Sequence, residues 1–179
     1  MKRERIGVKR QAKGVRRERN DGKRLTHFTD EGAARMVDVS AKGETLREAV
    51  AAARVTMRPG TLRLILDRKV SKGDVLGVAR VAGIMAAKRT PELIPMCHPL
   101  DLSSVEIDLT PDQKTSSIAI TATVRIFGRT GVEMEALMAA AAAGLTVYDM
   151  CKSVDRAMTV TDVRLLRKTG GKSGTFERK

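Results

Sequence analysis

Reactive side chains are few in this chain and they cluster. Both cysteines and one of the two histidines fall in two short segments, Pro95-Met96-Cys97-His98-Pro99 and Tyr148-Asp149-Met150-Cys151-Lys152. Prolines flanking Met96 to His98 restrict the backbone and aim Cys97 and His98 at a shared point. A zinc site built from Cys97, His98 and Cys151 would lack Cys-x-x-Cys spacing, so no metal site is expected. A Cys–His nucleophile pair would require sequence neighbours to face each other, against attack geometry. The bland alternative is a rigid turn carrying a partly buried thiol. Asp149 and Lys152 are three apart, so on a helix they project from one face. A surface ion pair is the commonest meaning of that spacing and stabilises little. Gly170-Gly171-Lys172-Ser173-Gly174 imitates the end of a Walker A loop, but Leu166 occupies the place of the required earlier glycine and no helix pattern follows. Nucleoside triphosphatase chemistry is therefore set aside.

Elements must position these residues. Arg47 to Met57 is Ala-rich, which favours helix, yet Ala49, Ala51, Ala53, Val55 and Met57 alternate as in a strand; propensity does not decide. Ala34 to Ser40 reads as a short extended entry to the domain. Thr61 to Asp67 is a short helix, and Asp74, after the turn Ser71-Lys72-Gly73, caps a second helix reaching about Arg89, closed by Pro91. Val105, Ile107 and Leu109 alternate on one strand, and Ile118, Ile120, Val124 and Ile126 mark another. Thr110 to Lys114 is the turn of that hairpin. Thr130-Gly131-Val132-Glu133 has capping-box spacing ahead of a long helix expected to reach about Asp155. Glu133 and Glu135 there favourably face the positive end of the helix dipole. A last strand spans Ala157 to Arg167. With the ambiguous segment taken as a strand, the order is the split βαβ of a ferredoxin-like plait, an α+β fold with an antiparallel sheet packed on helices.

The chain has 179 residues, 42% apolar and 31% charged, which suits one hydrophobic core. No apolar run approaches the roughly 18 residues that span a bilayer, and no apolar signal core occurs, so a cytoplasmic protein without membrane attachment is expected. Two cysteines do not make a disulfide framework. Of the net charge of +13, +8 lies in residues 1–24. That stretch reads as a basic, flexible arm, followed by one catalytic domain over 25–174 and a short tail over 175–179.

The segments together resemble one family, molybdenum cofactor biosynthesis protein C. The resemblance covers about Leu25 to Gly174. It rests on Met36-Val37-Asp38-Val39-Ser40, Lys72-Gly73-Asp74, Ala82-Gly83-Ile84, Ala86-Ala87-Lys88-Arg89-Thr90, Leu93-Ile94-Pro95-Met96-Cys97-His98-Pro99-Leu100, Thr130-Gly131-Val132-Glu133-Met134-Glu135-Ala136-Leu137, Tyr148-Asp149-Met150-Cys151-Lys152 and Gly170-Gly171-Lys172-Ser173-Gly174. It implies a lyase that converts 3',8-cyclo-7,8-dihydroguanosine triphosphate into cyclic pyranopterin monophosphate with release of pyrophosphate. By the same resemblance Asp149, Lys152 and Lys72 are the catalytic residues, suited to general acid–base work where a partly desolvated pocket adjusts their pKa. Met96, Cys97 and His98 form one substrate-binding segment, and Met134 with Glu135 another. His98 would meet a phosphate or a ribose-derived oxygen, and Glu133 or Glu135 the guanine-like amino edge. Arg47, Lys168 and Lys172 are expected triphosphate ligands through charge-assisted bonds. No cofactor is required by the sequence, although Mg2+ would suit a triphosphate. The implied assembly is a homohexamer of three dimers, with the active site in the dimer interface. The alternative is a nucleic-acid-binding ferredoxin-like module with a basic arm, which would need aromatic residues on adjacent strands. Only Phe127 lies in the hairpin, so nucleic acid is not the expected partner of the domain.

Overall fold

The computed structural model describes residues 32–179, and the basic arm of residues 1–24 lies outside them. Strand β1 (Thr45–Thr56) leads to helices α1 (Pro59–Leu66), α2 (Val75–Lys88) and α3 (Thr90–Leu93). The hairpin β2 (Ser104–Asp112) and β3 (Ser117–Gly128), helix α4 (Glu133–Cys151), β4 (Thr159–Thr169) and β5 (Phe176–Glu177) follow. The sheet runs β2-β3-β1-β4-β5, with every neighbouring pair antiparallel. Its first four strands have the expected plait order, with β1 central between β3 and β4.

Tertiary context resolves the ambiguous segment as strand. β1 is hydrogen-bonded along both edges, and Ala49, Ala51, Ala53 and Val55 on one face are at most 3% exposed. Alanines suit that face because α4 lies directly on β1, where small side chains let helix and sheet approach. Ala136, Ala139, Ala140 and Ala143 line the buried side of α4. Gly83 serves the same end between α2 and α4: a Cβ there would run into Ile107 and the carbonyl of Ala139. Ile118, Ile120 and Val124 of β3 complete the core beneath the helices. Each contributes about 2 kcal/mol of transfer free energy. The opposite face of the sheet is charged, with Arg125 ion-paired to Glu48 and Glu106 at 2.6 Å each.

Several boundaries differ from expectation. Helix α4 begins at Glu133 behind Val132, which makes no side-chain cap, so the capping box at Thr130 does not form. Glu133 and the buried Glu135 stand in its first turn instead, where a carboxylate faces the positive end of the dipole. The helix ends at Cys151. Pro111 and Asp112 remain in β2, and the hairpin turns at Gln113 to Ser116, where Asp112 accepts from the Lys114 N–H at 2.9 Å and Ser116 adopts φ 49°. Pro91 both follows the end of α2 and enters the first turn of α3. Ala34 to Ser40 is irregular apart from a bridge at Ala34. Residues expected as a tail add the short edge strand β5, its register set by Arg167 opposite Glu177 and Lys168 opposite Phe176.

Candidate active site

The two ends of α4 carry the candidate residues. At the C-terminal end, Asp149 lies on the last turn and Lys152 is the C-cap. Lys152 Nζ is 2.7 Å from Asp149 Oδ1, and Lys72 Nζ, from the turn before α2, is 3.0 Å from Asp149 Oδ2. Lys72 also donates to the Asp149 backbone carbonyl at 2.9 Å, satisfying one of the free acceptors at the negative end of the helix. The bond to Lys152, then that to Lys72, holds the Asp149 carboxyl below its ordinary range, and the same carboxylate raises Lys152. All three side chains are exposed, Lys72 at 42%, Lys152 at 53% and Asp149 at 55%. In this setting Asp149 and Lys152 hold each other charged.

A buried carboxylate anchors this end. Asp155 is 1% exposed and accepts from the Arg58 N–H at 2.9 Å, the Thr61 hydroxyl at 3.0 Å and the Ala157 N–H at 3.2 Å, with Arg58 Nε at 3.2 Å. Burial alone would raise its pKa, but those bonds hold it below the ordinary aspartate value. The turn following Lys152 is thereby tied to the start of α1.

At the N-terminal end of α4 lies a cavity of about 290 Å³, walled by Met96, Cys97 and His98 on one side and Glu133, Met134 and Glu135 on the other. His98 Nε2–H donates to the Val37 carbonyl at 2.9 Å, drawing the entry segment over the cavity. Glu135 is 3% exposed, and burial, aided by the neighbouring Glu133 charge, pushes its carboxyl up to about 7. Burial, then the Glu135 charge, raises the Cys97 thiol. Cys151 is fully buried and is raised by burial as well. Neither thiol is poised as a nucleophilic thiolate. The cysteines are free and sit near opposite ends of α4. Among the described residues, no group of three or more His, Cys, Asp or Glu is arranged to hold a metal ion.

A smaller cavity of about 160 Å³ adjoins the first, sharing Lys42, Thr130, Gly131 and Glu133 with it. Arg47, Arg129 and Lys168 join Lys42 there, against the carboxylates of Glu48 and Glu133. Arg47 is oriented by two backbone acceptors, Gly128 O at 2.8 Å from Nε and Arg129 O at 2.9 Å from Nη2. Lys172 is exposed and does not line this cavity, although Arg47 and Lys168 do. Lys42 and Arg129 were not anticipated. Their signal was positional, since each lies within two residues of a recognised segment, Met36 to Ser40 or Thr130 to Leu137. The Gly170–Gly174 turn leads into β5 rather than a helix, so it is not a Walker loop.

The structure therefore assembles two groups that stand apart. From Glu133 to Asp149 is 16 residues along one helix, about 24 Å at 1.5 Å per residue. The family model described as the MoaC family matches residues 36–171. A Rhodospirillum rubrum protein named cyclic pyranopterin monophosphate synthase is 64% identical over 152 residues, covering 85% of this chain and 92% of the relative. Proteins of the same name from Pelotomaculum thermopropionicum and Parvibaculum lavamentivorans are 61% and 58% identical, covering 87% and 88% of this chain and 91% and 98% of theirs.

Proposed function

Because the chain belongs to the MoaC family, we propose that Asp149, Lys152 and Lys72 are the catalytic groups with which it makes cyclic pyranopterin monophosphate. The chain is a lyase of molybdenum cofactor biosynthesis acting on a small molecule. Its substrate is 3',8-cyclo-7,8-dihydroguanosine triphosphate. The five-membered ring of the purine opens, the pyranopterin is built, and a hydroxyl displaces pyrophosphate from the α-phosphorus to close the cyclic phosphate.

The observation that carries the reading is the Asp149 carboxylate with a lysine ammonium at each oxygen. Such a group both donates and accepts protons, and it stabilises charge developing on phosphate oxygens. The Glu133–Glu135 wall receives the guanine-like edge of the substrate, and His98, on the facing Met96–His98 wall, meets a phosphate or ribose-derived oxygen. Arg47 and Lys168 bind its triphosphate in the adjoining cavity, joined by Lys172 from the exposed turn. Any Mg2+ arrives with the triphosphate as part of the substrate, and no other cofactor is assigned.

The 24 Å along α4 supports a site shared between two chains. A nucleotide-sized molecule bound at the N-terminal end of α4 does not reach the trio of the same chain, whereas an antiparallel partner helix would supply one. Val78, Val81 and Met85 on α2 and Leu145 on α4 are exposed, between 46% and 61%, as an apolar helical face awaiting a partner would be. A partner covering Asp149 and Lys152 would also desolvate them, lowering the Lys152 pKa toward the range of a working acid. The assembly proposed is a homohexamer of three such dimers. No helix among the described residues is long and apolar enough to cross a membrane. A cytoplasmic location is proposed, in keeping with two free thiols.

Subunit mixing tests the reading. Lys152→Ala and His98→Ala chains, each inactive alone, should regain turnover of the cyclic guanosine triphosphate derivative after exchange, because a mixed dimer rebuilds one intact site. No recovery despite demonstrated exchange would place both groups in one chain's site. A folded but inactive wild type would overturn the activity itself.

A further inference from the structure

The glycine turn set aside as a Walker loop has another use. Gly170 and Gly171 are consecutive left-handed residues, with φ of 88° and 71°. Side-chain-bearing residues seldom adopt that conformation. Space is restricted there as well. A Cβ on Gly170 would run into the Leu46 carbonyl and the Cα of Arg47, and one on Gly171 into the Arg47 guanidinium. The turn backbone thus lies flush against Arg47, whose other constraints are the carbonyls of Gly128 and Arg129. Farther along, Ser173 Oγ accepts a hydrogen bond from Lys168 Nζ. Gly174 N–H closes the turn onto Gly171 O at 3.1 Å.

We propose that the Gly170–Gly174 turn is a frame that positions Arg47 and Lys168 on the cation-lined cavity and thereby sets affinity for the substrate's triphosphate. The proposal rests on reading Arg47 and Lys168 as phosphate ligands. Arg47 has five N–H donors, and the two named carbonyls engage only two nitrogens. A guanidinium pinned on one side by backbone acceptors and on another by the bare backbone of Gly170 and Gly171 is oriented before its ligand arrives, and that preorganisation strengthens binding. The frame acts through the cations without itself taking part in the chemistry.

Calorimetric binding of inorganic tripolyphosphate to the full chain, with steady-state kinetics, separates the contributions. Gly171→Ala should weaken tripolyphosphate binding roughly ten-fold and raise KM alike, with kcat retained, as expected for one misplaced charge-assisted contact. Gly32→Ala is the control. Gly32 has φ 85° and open space around its Cβ position, and it lies outside the turn, so it carries the backbone strain without the collision. Its affinity should stay within about two-fold of wild type. On an Arg47→Ala background, Gly171→Ala should add nothing, since its effect runs through that side chain. Equal losses in the Gly171 and Gly32 variants, or additive effects of Gly171→Ala and Arg47→Ala, would overturn the frame. Unchanged tripolyphosphate affinity in Arg47→Ala would instead overturn the phosphate reading beneath it. Should Gly171→Ala fail to fold, Ser173→Ala tests the Lys168 arm without a backbone demand. A loss of a few-fold is expected by removal of one hydrogen bond, and no loss would count against the frame.

Discussion

At the C-terminal end of α4, Asp149 stands in the open with an ammonium at each carboxylate oxygen, whereas Glu135 at the other end is 3% exposed and raised to about 7. One helix therefore presents two carboxylates in opposite condition. Ion pairing keeps the first charged, and burial lets the second take up a proton near neutrality. A charged trio can work while costing the fold little when altered; a buried carboxyl is felt by the whole fold.

The largest effect expected is on the charged end. Alanine at Lys72, Asp149 or Lys152 should lower kcat by about 10²- to 10⁴-fold, the range of a lost acid–base group. Melting temperature should hardly move, because exposed ion pairs contribute little. Near-normal turnover in all three would remove the trio from the reaction. Asp155 sharpens the contrast, as a buried carboxylate at that same end. Asp155→Ala should destabilise by about 3 kcal/mol in denaturant titration, since it strips the Arg58 and Ala157 N–H groups and Thr61 of their acceptor. A loss no larger than that of Asp149→Ala would erase the distinction between the carboxylates.

Glu135 gives a pH signature. Its folded value of about 7 lies above the ordinary 4.5, so below 4.5 it is protonated in both states and its contribution is fully present. As pH climbs, the unfolded chain ionises first, and the contribution is lost progressively until pH passes about 7. The shift corresponds to roughly 3 kcal/mol between pH 4 and pH 8. Glu135→Gln should remove that slope and melt higher than wild type at pH 8, but not at pH 4. Parallel stability profiles would mean that Glu135 is ionised in the fold. The smallest change should come from Cys97→Ser, which leaves kcat within about three-fold because the raised thiol is wall rather than nucleophile. A hundred-fold loss would return chemistry to the cysteine.

Much of the plait was legible because alternation and capping signals are local. Val105, Ile107 and Leu109 on β2 marked one side of the hairpin, and Asp74 accepts from the Gly77 N–H at 2.9 Å as its position before α2 required. β1 was not decidable, since its alanines answer to α4 lying across them rather than to their own propensity. The start of α4 was misread because Thr130 has the right spacing, while the helix begins behind Val132. Asp149 and Lys152 announced themselves by spacing. Lys72 comes from 77 residues away, so nothing local joined it to them, and only resemblance did. Lys42 and Arg129 escaped notice because their cavity forms where loops distant in sequence meet the ends of β1 and β4.

The uninterrupted course of α4 ties spacing to direction. Removing one residue between Glu135 and Asp149 would shorten the interval by 1.5 Å but swing everything beyond it by about 100°. Asp149 and Lys152 would then point away from Lys72 while the cavity at the other end stayed intact. Length changes inside α4 are thus tolerable only near whole turns, whereas the hairpin turn at Gln113 to Ser116 is under no such phase constraint. Deletions of increasing length within α4 should therefore lose the Lys72 contact at one or two residues and regain it near three to four, with the rhythm of the helix.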